Sequence, residues 1–213
     1  MRVVIMGAGG HAQVVADILW RMRDAGEVVL PVAYLDDNLA LLGRSFVNVP
    51  VMGGTDRLPE IEHEAVIVAI GSGQIRQRLF RILQERGERF MTARHPTAVI
   101  APDVVIGSGA MICANVVVNT GAVIGQNVIL NTACTVDHHN RIGDHAHIAP
   151  GVHLGGDVQV GEGSLIGIGA VVLPQTRIGS WCTVGGGSVV IREVGDGETA
   201  VGNPARVVKW KGC

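Results

Sequence analysis

Five of the chain's eight histidines fall within residues 131–156, NTACTVDHHNRIGDHAHIAPGVHLGG. Imidazoles at that density suit two kinds of chemistry: a metal centre, or proton transfer by a ring that titrates near neutrality. The five stand at 138, 139, 145, 147 and 153. No two are five residues apart, and no cysteine or acidic cluster closes around them, so no metal is expected. Proton transfer suits His138 better, with Asp137 beside it to orient or charge-stabilise the ring. A second stretch able to do chemistry is Gly7-Ala-Gly9-Gly10-His11-Ala12, whose Gly-x-Gly-x-x-Ala spacing suits a phosphate held on loop amides and a helix N-terminus. Asp36 lies at the end of the second strand, where an acid would meet a ribose. The same glycines would also serve a plain strand-to-helix turn.

Two kinds of element must position these residues. Up to about residue 92, apolar strands alternate with helical patterns. Arg2–Met6 leads into the glycines and a helix to about Ala25, and Val28–Leu35 ends on Asp36-Asp37. Ala65–Ile70 runs through Gly71-Ser72-Gly73 into a basic amphipathic helix, Gln74–Arg86. Alternation of this kind implies a parallel sheet covered by helices. The length leaves room for one mononucleotide-binding half, which favours a nucleoside diphosphate-sugar over a dinucleotide.

From Val99 the period becomes six. Every sixth residue from Ile100 to Val190 is Ile, Leu or Val, sixteen positions in all. The residue four later is nearly always small or β-branched, with Asn140 the exception. A hexapeptide period means a parallel β-helix, three hexapeptides to each triangular coil, with coils stacked about 4.8 Å apart. Aromatic rings do not fit that narrow interior. The composition agrees: 47% hydrophobic, 3% aromatic and 30 glycines. His138 stands two residues after the interior Val136, in phase with Pro102, Pro150 and Pro174, and therefore projects from a corner. His145 and His153 read as exposed turn and strand residues. Cys134 and Cys182 fall in small interior slots.

The formal net charge of −2, without blocks of like charge, argues against nucleic acid or a membrane surface as partner. No apolar run is long enough to span a bilayer. Four scattered cysteines without a CxxC pair, and an N-terminus unlike a signal sequence, fit a reduced, cytoplasmic protein.

The repeat resembles the left-handed β-helix acyltransferases of the hexapeptide-repeat superfamily. The whole chain more narrowly resembles the sugar acetyltransferases that include PglD and the sialic acid O-acetyltransferases. The residues carrying that likeness are Gly7-Ala-Gly-Gly-His-Ala-Gln-Val-Val15, Asp36-Asp37, Ile70-Gly-Ser-Gly-Gln-Ile-Arg76, Asn131-Thr132, Asp137-His138, His147, Gly155-Gly156 and Val201-Gly-Asn-Pro-Ala-Arg206. The expected fold is an α/β N-terminal half-Rossmann (βαβ) domain followed by a left-handed parallel β-helix of hexapeptide repeats. The domains would be 1–92 for the nucleotide-sugar, 93–198 for the acetyltransferase β-helix, and 199–213 for a tail closing over coenzyme A.

The resemblance implies an acetyl-CoA-dependent N-acetyltransferase of glycan biosynthesis. Its acceptor would be a nucleotide-linked amino-sugar, foremost a 4-amino-4,6-dideoxyhexose, whose amine attacks the thioester directly. It implies His138 as catalytic base, assisted by Asp137, with His139 standing where the family has an acid. Substrate contacts would come from Gly9, Gly10, His11, Asp36, Asp37, Gly71, Ser72 and Asn131. Coenzyme contacts would come from His147, Gly156, Gly167, Gly185, Pro204 and Arg206, with Lys209 a further cation near the phosphates. A homotrimer with interfacial active sites is implied, and no metal. Other readings are an O-acetyltransferase of the sialic acid type, a non-catalytic scaffold, and a γ-type carbonic anhydrase. The last of these lacks its His-x4-His pair here.

Overall fold

The structure, a computed structural model, describes residues 1–208. The chain divides into two compact units, Met1–Pro96 and a second that begins at Thr97.

In the first unit β1 (Arg2–Met6) is central, flanked in parallel by β2 (Leu30–Leu35) and β3 (Ala65–Val68). These strands are near-continuous aliphatic runs because helices cover them. Helix α1 (Gly10–Asp24) buries Ala12, Val15, Ala16, Leu19 and Met22 at helical spacing. Helix α2 (Gly73–Glu85) brings Phe80 and Leu83 onto a core of Val4, Met6, Leu35, Val66 and Val68. The second strand starts at Leu30 because Val28, at 85% exposure, lies outside the sheet. A hairpin of Ser45–Phe46 with Val49–Pro50 lies between β2 and β3.

The second unit is a parallel solenoid of sixteen two-residue strands, Val99–Ile100 to Val189–Val190. Each residue of a strand pairs with the one eighteen positions on, as Thr135 does with His153 and Arg141 with Gln159. The strands stack as three sheets. Sheet I contains Val117–Val118, Thr135–Val136 and His153–Leu154; sheet II contains Val123–Ile124, Arg141–Ile142 and Gln159–Val160; sheet III contains Ile129–Leu130, His147–Ile148 and Leu165–Ile166. From Ile112 onward every sixth residue is buried, whereas Ile100 and Ile106 are half-buried, belonging to a first coil stacked on one side only. From Gly109 to Gly187 the third residue of each corner takes a left-handed φ, whether glycine (Gly121, +71°) or not (His139, +60°; Asp157, +58°). Such a conformation costs roughly 1 kcal/mol outside glycine, and the ladders on either side enforce it.

After the last coil, Thr199–Val201 joins sheet III beside Thr183–Val184, and Arg206–Val208 folds back on it antiparallel. This hairpin caps the solenoid, with the Val189 N–H donating to the Gly202 carbonyl at 3.0 Å. Among the described residues no helix is long and apolar enough to cross a membrane.

Candidate active site

The corner from sheet I to sheet II is formed by Asp137-His138-His139-Asn140, and one coil on by Gly155-Gly156-Asp157-Val158. Asp137 closes the turn: its Oδ1 accepts from the His138 backbone N–H at 2.7 Å and from Asn119 Nδ2 at 2.9 Å. The Asn119 amide first, then that N–H, holds the Asp137 carboxyl below its usual range. His138 and His139 are exposed. Their Nδ1 atoms are 3.0 Å apart, with the rings edge-to-face at 78°. The side-chain partner of the His138 ring is thus His139, while Asp137 acts on the backbone.

Glycine is required beneath both rings. A Cβ at Gly156 would overlap Cε1 and Nε2 of His138, and one at Gly121 would stand 2.7 Å from Cδ2 of His139. The buried Gly156 therefore lies directly under the His138 Nε2, and among the described residues its N–H makes no hydrogen bond. A free amide beside a basic nitrogen is what a thioester carbonyl and an attacking nucleophile need.

Asn140, the exception in the small-residue series, is fully buried. Its Nδ2 donates to the Asp137 carbonyl at 2.7 Å and the Gly155 carbonyl at 2.8 Å. It ties the histidine corner to the glycine corner above. Neither Asn140 nor Asn119 follows from residue type alone. The signal for Asn119 is its place eighteen residues before Asp137, directly beneath it in the stack.

The remaining sites separate. Asn131 lies at the other end of sheet I, at the corner from sheet III, with its amide donating to His147 Nε2 at 3.2 Å. Gly167 and Gly185 continue that corner upward, and Val201 of the terminal hairpin packs over Gly185. Pro204 and Arg206 are exposed on this hairpin, and Arg206 Nη1 donates to the Ala205 carbonyl. Lys209 lies outside the described residues. Within one chain, then, His147, Gly167 and Gly185 share a corner with Asn131, whereas Gly156 sits with His138. His145 departs from its expected exposure. It is 5% exposed, because its ring turns in to meet the buried Asn127 amide at 2.9 Å. His153 is exposed and meets Thr135 Oγ1 at 2.9 Å.

In the first unit, a cleft of about 450 Å³ is lined by Gly7, Asp36, Asp37, Thr55, Ile70 and Arg78. Asp36 braces the glycine loop, accepting from the Ala8 N–H at 2.8 Å and the Asn38 N–H at 2.9 Å. Asp37 Oδ1 accepts from the Thr55 N–H and hydroxyl at 2.8 and 3.0 Å. Gly9 and Gly10 are exposed, and no side chain caps α1, so its first amides face outward. Gly71 and Ser72 are exposed at the start of α2. His11 is half-buried at the edge of the glycine loop. Its Nε2 is buried, and burial followed by the nearby Arg76 charge pushes its pKa down to about 4. Its ring is therefore neutral at physiological pH.

Triangular coils of hexapeptides place the chain among the hexapeptide-repeat acetyltransferases of the left-handed β-helix class. Residues 2–83 match the PglD N-terminal domain, and residues 157–192 match the bacterial transferase hexapeptide of six repeats. The chain belongs to the PglD-like sugar acetyltransferases. It is 37% identical over 147 residues to the GDP-perosamine N-acetyltransferase of Escherichia coli O157:H7, a match spanning 67% of this chain and 66%, just under two thirds, of that protein. It is 37% identical to the acetyltransferase domain of PglB from Neisseria gonorrhoeae in complex with acetyl coenzyme A, with a TM-score of 0.89 over 97% of this chain and 98% of that one. It is 38% identical to PerB from Caulobacter crescentus in complex with CoA and GDP-perosamine, with a TM-score of 0.86 over 97% and 96% of the two chains.

Proposed function

We propose that this chain transfers an acetyl group from acetyl-CoA to the amine of a nucleotide-linked amino-sugar, foremost a 4-amino-4,6-dideoxyhexose. The observation that carries the chemistry is the His138 ring resting on Gly156 through Cε1 and Nε2, at a residue whose N–H makes no hydrogen bond among the described residues. The amine attacks the thioester carbonyl, whose developing oxyanion is met by the Gly156 N–H. His138 Nε2 takes the amine proton as the C–N bond forms. The C–S bond then breaks, and the proton passes to the departing coenzyme thiolate. For Nε2 to act as base, His138 must carry its proton on Nδ1 and donate it to Nδ1 of His139. His139 thereby replaces the expected acid as the group that fixes the tautomer, and Asp137 fixes the backbone.

Asp36, Asp37 and the outward amides at Gly9 and Gly10 suit a nucleoside diphosphate. The cofactor set, His147, Gly156, Gly167, Gly185, Pro204 and Arg206, is divided between two corners of one prism. A single coenzyme molecule reaches both most simply if one protomer's histidine corner faces its partner's Asn131 corner, which supports a homotrimer with interfacial sites. Three buried, unpaired cysteines, Cys113, Cys134 and Cys182, support a cytoplasmic setting.

Thiol release from acetyl-CoA with a panel of GDP- and UDP-linked 4-amino-sugars tests the proposal. Turnover is expected on at least one amine. Activity confined to a sugar hydroxyl, as in sialic acid, would replace it with O-acetylation.

A further inference from the structure

Three ligating side chains meet at the histidine corner. One donor atom from each of His138, His139 and Asp157 lies within 4.8 Å of the others, and all three residues are exposed. The two imidazoles face each other through Nδ1 at 3.0 Å. That is close to the separation of about 3.3 Å expected for two nitrogens bound roughly 2.0 Å from one tetrahedral zinc ion. The donors are also held in place. The His138 ring rests on Gly156 and the His139 ring on Gly121. Asp157 is the left-handed corner residue directly above His139, and its N–H donates to the His138 carbonyl at 2.9 Å.

We propose that His138, His139 and Asp157 bind one divalent transition-metal ion, and that the bound ion stops acetyl transfer. Two imidazoles and one carboxylate select zinc, cobalt or copper over magnesium or calcium, which prefer all-oxygen sites. The fourth position is open to solvent and takes water. Asp137 stays outside the site because its Oδ1 is held by Asn119 and the His138 N–H. When the ion occupies Nδ1 of His138, the ring's single proton moves from Nδ1 to Nε2. No lone pair is then left to accept a proton from the amine. The binding stands on geometry alone; the block rests on His138 as the base.

The test titrates the full chain with Co²⁺ in the absence of coenzyme and sugar, following the visible d–d absorption of the bound ion. Saturation at one Co²⁺ per chain is expected, with displacement by Zn²⁺. His139→Ala and Asp157→Asn should each weaken binding by more than about tenfold. Absence of the band, or affinity unchanged in both variants, overturns the site. Turnover is read as acetylated sugar, because the released thiol itself binds zinc. Stoichiometric Zn²⁺ should abolish turnover in the native protein and spare Asp157→Asn. A zinc-saturated native protein that still turns over would overturn the block and the base assignment, leaving the ion site standing.

Discussion

Asn140→Ala removes two short hydrogen bonds inside the solenoid, at 2.7 and 2.8 Å, and leaves the carbonyls of Asp137 and Gly155 without that amide. A stranded buried acceptor costs about 1–3 kcal/mol. The Asn140 Oδ1, itself buried without a partner, is removed at the same time and offsets part of the loss. Alanine fits the slot, since Ala110, Ala122, Ala146 and Ala170 occupy it in other coils. The net destabilisation should therefore be about 2–3 kcal/mol. Ser164 occupies the same slot and donates to the Gly179 carbonyl at 2.7 Å, the same relation that links Asn140 to Gly155. Asn140→Ser should keep that bond, lose the one to Asp137, and cost about 1 kcal/mol. Because the amide joins the two catalytic corners, kcat should fall in the order native, Ser, Ala, with the KM for acetyl-CoA little changed. Urea midpoints and steady-state kinetics on the three proteins check both series. An alanine variant with native midpoint and kcat, or a serine variant below alanine, would refute the reasoning.

Gly156→Ala should displace the His138 ring that its Cβ would overlap and lower kcat by about a hundredfold, while circular dichroism remains native. His11 has a folded pKa of about 4 against 6.5 for the free side chain, so its contribution to stability is complete above pH 6.5 and is lost as pH falls towards 4. The loss should reach roughly 3 kcal/mol by pH 4, and His11→Gln should flatten that part of a stability–pH curve measured with urea. If each site joins the His138 corner of one protomer to the Asn131 corner of the next, refolding His138→Ala and Asn131→Ala chains together should restore about one quarter of the sites. Activity no greater than that of the separate variants would place both residues in one chain's site.

The solenoid was legible because its interior is one-dimensional: a six-residue period suffices to point Val136 inward and His138 outward. The coil repeat of eighteen residues was equally present in the sequence. It links Asn119 to Asp137, Gly121 to His139, and His139 to Asp157, so the neighbours of the site were readable by counting. What phase could not supply was side-chain direction at the corners. His139 and His145 share a corner position and a left-handed φ, yet one is exposed and the other turns in to Asn127. Nor did the motif at Gly7–Ala12 reveal that Asp36 accepts from the Ala8 N–H, or that Nε2 of His11 is buried. Those outcomes depend on packing against β2 and α2, segments distant in sequence.

The central claim is that His138 Nε2 takes the proton from the attacking amine. Its most direct test is kcat for the formation of N-acetylated sugar by His138→Ala, beside a direct measurement of acetyl-CoA affinity. The account predicts a loss of about 10²–10⁴-fold in kcat with affinity for the coenzyme retained. A variant that keeps kcat within about twofold of native would contradict it.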